Sequence, residues 1–315
     1  MQGMSRRSFL KGLGTTTLGA AVGVRLFADS TPVSAQDITP ASSFYRTQLG
    51  DFEVTVIRDG VTSLALDTLV ANAESGEIND LLAANGLPTG ESVPNNFKIL
   101  VVNTGSELIV FDTGLGASNG GQLLPTLQVL GITPGDISTV VITHWHPDHV
   151  GGASIDGAPT FPNAQYLMTR GDYELLQSDP SNQGFAGALA AIQPVEDAGN
   201  LDFYSDGDEI VSGITAVSAP GHTPGHSAFL IASGGQSLMN TVDAIIHPVV
   251  STQRTDWHFG FDADPEQAVE TRRTLLQRVA DDNLLMFGYH FPFPGIGGVA
   301  RTDEENTFRF TPYSY

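Results

Sequence analysis

Four groups able to bind a metal fall within six residues, His144-Trp145-His146-Pro147-Asp148-His149. They follow Val140-Val141-Ile142-Thr143, a run that reads as a buried β-strand. The cluster therefore sits where a strand ends and a loop opens, the place where α/β folds put their chemistry. Imidazole and carboxylate are ligands for Zn²⁺ and related divalent ions. A lone histidine needs no such explanation; three histidines and an aspartate in one turn do.

Three more candidates lie downstream. His222 sits in Pro220-Gly221-His222-Thr223-Pro224-Gly225-His226, Asp243 after Thr241-Val242, and His290 in Gly288-Tyr289-His290-Phe291-Pro292. Each follows a short β-prone stretch: Ile214–Val217, Ser237–Met239 and Leu284–Phe287. The pattern is four strand ends delivering ligands to one sheet edge. Seven ligands exceed what one tetrahedral zinc uses, and they fit two metals sharing a bridge. The chain has no cysteine, so ligation falls to N and O donors and disulfides are excluded.

The N-terminus reads as a separate object. Ser5-Arg6-Arg7-Ser8-Phe9-Leu10-Lys11 is a twin-arginine pattern, an apolar stretch runs from Gly12 to Val24, and Val33-Ser34-Ala35 offers small residues for cleavage. We expect residues 1–35 to be an export signal read by the twin-arginine machinery, 36–45 a linker and 46–315 the working domain, giving a periplasmic protein. The apolar part is too short to remain as a membrane anchor. Residues 1–35 carry a net charge of +3, so taking them from the −21 of the chain leaves −24, with Lys98 the one remaining lysine. That charge repels polyanions, and nucleic acid is not an expected partner.

Elsewhere Phe52–Arg58 alternates like a strand, with a turn expected at Asp59-Gly60. Phe97–Val102, Glu107–Phe111, Ala164–Met168 and Ala228–Ile231 read as strands, and Leu123–Leu130 and Tyr173–Gln177 as helices. The clearest helix starts at Asp264-Pro265-Glu266-Gln267, with Asp264 as N-cap and Gln267 able to close a capping box. Ala268, Val269, Arg272, Leu275, Leu276 and Val279 recur on it at helical spacing, with Arg273 and Arg278 expected in water. Strands alternating with helices argue for sheets covered by helices.

HxHxDH, the PGHTPGH segment, a strand-end Asp and a late His resemble the metallo-β-lactamase superfamily over roughly residues 50–295; Phe111-Asp112-Thr113-Gly114 resembles its early loop. The resemblance implies an α/β fold, a four-layer αββα sandwich with two divalent metal ions, zinc by default, at one edge. It assigns His144, His146 and His222 to the first metal, Asp148, His149 and His290 to the second, and Asp243 to both. It also implies a hydroxide shared by the two metals as nucleophile, with Asp243 and Asp148 as catalytic carboxylates and Asp148 as proton shuttle. Asp112 is expected to buttress the loops, and His226 and Tyr289 to pack beside the ligands.

Three hydrolase branches are similar. Glyoxalase II-like thioesterases add a basic C-terminal helical domain, whereas 25 residues follow His290 here. Quorum-quenching lactonases often carry a tyrosine three residues after the bridging Asp, and this chain has Ile246. Phe261-Asp262-Ala263-Asp264-Pro265 and the Pro-rich stretch after His290 most resemble the methyl parathion hydrolase-like branch, whose members often dimerise. The expected activity is hydrolysis of a small-molecule lactone, aryl ester or phosphotriester, with thioesterase or iron-dependent sulfur dioxygenase as alternatives and a non-catalytic metal-binding protein as a third class. Trp257, Phe259, Phe261 and His247 are expected to line the substrate pocket.

Overall fold

The computed structural model describes residues 42–313. The expected export signal lies outside the described residues, as does most of the expected linker. The last two linker residues, Phe44 and Tyr45, already belong to the first strand.

Strand alternation builds two sheets. The first contains β1 (Phe44–Leu49), β2 (Phe52–Ala65), β3 (Ser92–Asn103), β4 (Leu108–Phe111) and β5 (Thr139–Val141). A small hairpin, β6 (Ser154–Ile155) and β7 (Ala158–Pro159), stands apart, and β8 (Gln165–Thr169) and β9 (Leu201–Tyr204) complete the first sheet in the order β1-β2-β3-β4-β5-β8-β9. The second sheet runs β10 (Glu209–Val211), β11 (Ile214–Ser218), β12 (Ser227–Ser233), β13 (Gln236–Val242), β14 (Leu285–Gly288), β15 (Ile296–Arg301) and β16 (Phe308–Pro312), in sequence order. Both are mixed: β4, β5, β8 and β9 pair in parallel, as do β13 and β14.

Period-two alternation decides the layering. Along β3, Leu100 and Val102 face β11, β12 and β14, meeting Ile214, Phe229 and Phe287 in a core between the sheets. Ile99 and Val101 face the other way, onto α3 (Leu123–Val129), α5 (Arg170–Ser178) and α6 (Gln183–Asp197). On the far side, Met239 and Met286 pack against Leu275, Leu276 and Val279 of α8 (Pro265–Asp281). The result is the expected α/β, helix–sheet–sheet–helix sandwich. A fourth core lies beneath α1 (Leu66–Leu69) and α2 (Ser75–Ala84), where Val250 of α7 (Val250–Gln253) also packs. The remaining helix, α4 (Pro147–Val150), carries part of the metal motif. No helix of the described residues is long and apolar enough to cross a membrane.

The expected turn at Asp59-Gly60 is absent. Strand β2 continues through it to Ala65, with a register irregularity against β3 between Arg58 and Gly60. An Asp-Gly pair reads as a turn because both residues tolerate unusual backbone angles, but here neither has a positive φ and both stay within the strand at the irregularity. A Cβ on Gly60 would sit 2.8 Å from Leu115 Cδ1, so that side chain would have to shift. Asp59 is buried, and its carboxylate accepts the backbone N–H groups of Leu115, Gln122 and Leu123 at 2.7–2.9 Å. That pins the glycine-rich loop after β4 over the site.

Helix α8 starts as expected: the Asp264 side chain accepts from Gln267 N–H, and Pro265 opens the first turn. The Gln267 side chain reaches Thr271 rather than closing a capping box. Arg273 is half-buried, its Nε donating to Thr255 Oγ1, whereas the Arg278 side chain is 40 % exposed and turned to water as expected. Arg272, on the apolar face, is fully buried.

Candidate metal centre

Each candidate ligand leaves a strand end or the short helix α4. His144 follows β5, and Asp148 and His149 are presented by α4, which Pro147 opens. His222 lies beyond β11, Asp243 directly after β13, and His290 after β14. Two local devices aim these loops. Gly221 packs against α8 so closely that a Cβ would lie 2.3 Å from Ala268 N. Val242 has φ 47°, a left-handed conformation that costs a β-branched residue about 1–3 kcal/mol. It coincides with the register irregularity of β13 against β14 and turns Asp243 into the site.

The seven side chains converge. His144, His146, His222 and Asp243 form one group, and Asp148, His149, Asp243 and His290 a second, so Asp243 is common to both. Its Oδ2 lies 3.1 Å from His290 Nε2, 3.4 Å from His149 and His222 Nε2, and 3.7 Å from His144 Nε2. His146 Nδ1 lies 3.0 Å from His144 Nε2 and 2.9 Å from His222 Nε2. Tetrahedral ligands at ~2.0–2.1 Å from zinc stand ~3.3 Å from one another, so these separations suit a shared cation.

The outward nitrogens set the tautomers. His149 Nδ1 donates to Asp112 Oδ2 at 2.7 Å, His222 Nδ1 to Asp262 Oδ1 at 3.1 Å, and His290 Nδ1 to the Asn96 carbonyl at 2.9 Å. His144 Nδ1 faces Thr143 Oγ1 at 3.1 Å, and that hydroxyl donates to Asp112 Oδ2. Four Nε2 lone pairs are thereby turned inward. His149 Nε2 and Asp243 Oδ1 are buried without any hydrogen-bond partner. Orphaned acceptors of this kind are costly unless a cation meets them. The residues fit a binuclear divalent centre.

The charges of the centre act on one another: burial opposes a proton on His149, but Asp243, Asp148 and Asp112 outweigh it and raise its pKa well above the ordinary histidine value, a proton that a bound cation would displace from Nε2. Burial and the neighbouring His222 lower the His146 pKa to about 3, so its ring is a neutral donor at pH 7. Burial, then His149, also holds His144 well below the usual histidine range. Burial opposes the charge of Asp243, but His290 and His149 overcome it and hold the carboxyl well below its ordinary value.

The flanking residues behave as structural supports. His226 donates from Nδ1 to the Ala219 carbonyl and accepts the Asp243 N–H at Nε2, tying two ligand loops together. Tyr289 is buried, stacks on His149 at 4.1 Å and donates to the Asp148 carbonyl. Trp145 packs edge-on against Phe185.

Three of the four expected pocket residues are elsewhere. The cleft beside the ligands, about 270 Å³, is walled by Leu64, Phe97, Leu115, Ile246 and Phe261, with Asn95 as its one polar side chain outside the metal ligands. Phe261, half exposed, is there as expected. Trp257 and Phe259 are 2 % exposed and belong to the core beneath α1 and α2. Arg254 covers the Trp257 ring and Arg272 the Phe259 ring. An aromatic run looks the same in sequence whether it lines a cleft or fills a core. His247 turns away too: its Nδ1 accepts the N–H groups of Val249 and Val250 as α7 begins. Burial lowers its pKa to about 4.

Three supports escaped the sequence reading. Asp262 holds His222 through one oxygen and meets Arg272 through the other at 3.3 Å. Arg272 also donates to the carbonyls of Ala244, Thr255 and Trp257. Its signal was present: a cation on the apolar face of a helix. Lys98, fully buried, donates to the Phe291 carbonyl beside His290. A charged residue inside the apolar run of β3 was the equivalent signal.

Comparison with known proteins agrees with this geometry. Residues 98–290 match the family described as the metallo-beta-lactamase superfamily. An N-acyl homoserine lactonase, AttM of Azorhizobium caulinodans, is 28 % identical over 48 % of this chain and 58 % of its own length. An N-acyl homoserine lactonase of a Bacillus species is 33 % identical over 43 % of this chain and 58 % of its own. The chain thus spans little more than half the length of these relatives. Two solved structures cover more. A hydrolase of the beta-lactamase superfamily, AbOPH, superposes with TM-score 0.81 at 26 % identity over 88 % of this chain and 99 % of its own. AidC, a dizinc quorum-quenching lactonase in complex with a product, gives 0.80 at 27 % identity over 87 % and 98 %.

Proposed function

Because the chain belongs to the metallo-beta-lactamase superfamily, we propose that it is a binuclear, zinc-dependent hydrolase of uncharged lactones, aryl esters or phosphotriesters. The observation that carries this reading is Asp243 Oδ2, within 3.7 Å of four inward-facing imidazole nitrogens drawn from both ligand groups.

When bound, a pair of divalent ions would supply a water acidified toward neutral pH and would polarise the carbonyl or phosphoryl oxygen of the substrate. His144, His146, His222 and Asp243 would hold one ion, and Asp148, His149, His290 and Asp243 the other. Asp243, with a side chain 5 % exposed, fixes the spacing of the two groups. Asp148 is 21 % exposed and faces the cleft, so it is the carboxylate placed to take a proton and pass it to the leaving oxygen.

Among the described residues no Lys or Arg lines the cleft, and its walls beyond the metal ligands are mostly apolar. The anionic part of a glutathione thioester would find no side-chain cation on those walls, which disfavours the thioesterase alternative. Ile246 offers no hydroxyl where many lactonases place tyrosine, so the leaving group receives little help beyond Asp148. Strained or activated substrates suit such a site. We place the protein outside the cytoplasm on the twin-arginine pattern of Ser5–Lys11.

Initial rates on an N-acyl homoserine lactone, a simple γ-lactone, an aryl acetate, a dialkyl aryl phosphate and a glutathione thioester test the reading. Turnover of one or more of the first four, well above the thioester, is expected. Preference for the thioester, or inertness toward all five, would contradict it.

A further inference from the structure

Away from the metal ligands, the lining of the cleft is apolar except at one point, Asn95. Asn95 lies on β3, paired in register with Thr62 of β2, and is followed directly by Asn96, whose carbonyl fixes His290, and by Phe97, whose ring packs edge-on to His290 at 5.6 Å. Asn95 is half-buried and lines the cleft with Asp148 and His290. Its carboxamide makes no hydrogen bond to any described residue. Asparagines elsewhere do find partners: Asn79, on α2, bonds the N–H and C=O of Gly90, and Asn85, at its end, bonds Leu81 and Gln253. A partly desolvated amide aimed into an apolar cleft is a recognition group awaiting a partner.

We propose that Asn95 is a specificity-determining residue that binds a secondary amide next to the scissile carbonyl of the substrate. The proposal rests on the hydrolase reading above. A carboxamide offers one acceptor and two donors, the complement of an amide N–H and C=O. The neighbouring Leu64 and Phe261 then take the apolar group on the far side of that amide. Of the substrate classes above, an N-acylated lactone carries such an amide; simple lactones, aryl esters and phosphotriesters do not.

The test compares kcat/KM for an N-hexanoyl homoserine lactone with that for an alkyl γ-lactone lacking the amide, in the wild type, Asn95→Ala and Asn95→Leu. Metal content is measured on each preparation. The ratio should fall about five- to ten-fold in both variants, the loss of one hydrogen-bonded contact, through KM rather than kcat, with metal content held at the wild-type value. A ratio that stays within two-fold of wild type, or a loss that strikes both lactones equally, overturns the proposal while leaving the hydrolase reading intact. A wild type that turns over neither lactone removes the premise and the proposal with it.

Discussion

Asp112 accepts the Nδ1 proton of His149 across 2.7 Å, with neither side chain open to solvent, and the same carboxylate receives the N–H and hydroxyl of Thr143. One buried aspartate therefore fixes the tautomer of one ligand and the backbone leading to another. Asp112→Asn should weaken metal binding about 10–100-fold, the usual effect of losing such a partner. Competition against a chromogenic chelator measures it; an unchanged affinity would remove Asp112 from the metal centre.

Removing the shared carboxylate should do more. Asp243→Ala is expected to drop metal content from two per chain to one or fewer and kcat/KM by at least ~100-fold, since charge stabilisation and spacing are lost together. Two metals and wild-type turnover in this variant would refute the bridging role.

The Arg272–Asp262 pair is buried on both sides, 0 % and 1 % exposed. Deleting one partner leaves an unpaired buried charge, at a cost of about 3–5 kcal/mol. Arg272→Met should lower unfolding stability by that amount in urea, and should loosen His222 through Asp262. A change below about 1 kcal/mol would mean that the carbonyls of Ala244, Thr255 and Trp257 find other donors.

Phe261 and Trp257 should part company. Phe261→Ala, at the cleft, should raise KM several-fold with little loss of stability. Trp257→Ala, in the core beneath α1 and α2, should cost about 3–5 kcal/mol of stability. Paired urea melts and Michaelis curves decide it; the reverse pattern would restore Trp257 as a pocket wall.

His247 gives a pH signature. Its folded pKa of about 4 lies below the unfolded value of about 6.5, so only the unfolded chain takes up the proton between those limits. Its contribution is flat above pH ~6.5 and falls by up to about 3 kcal/mol as pH drops to ~4. His247→Asn keeps an acceptor for Val249 and Val250 N–H and should flatten that part of the metal-free protein's urea-stability profile. An identical slope in the variant would place the proton uptake elsewhere.

Much of this was legible in the chain. Apolar runs ending in His144, Asp243 and His290 gave strand ends, and period-two alternation in β3 gave the layers. What stayed hidden depends on long-range partners. Asp59-Gly60 reads as a turn until the loop carrying Leu115 supplies three N–H groups to the Asp59 carboxylate. Trp257 and Phe259 look like a pocket wall until α1 and α2 cover them. Asn95 has no local signature at all, because its significance lies in partners it lacks.

The most direct test is the metal count of purified protein, by elemental analysis, alongside lactone and aryl ester turnover before and after chelation. Two divalent ions per chain, activity lost on chelation and restored in step with the second ion added, is the predicted result. Full activity with one ion per chain, or activity that survives complete chelation, would contradict the two-metal account.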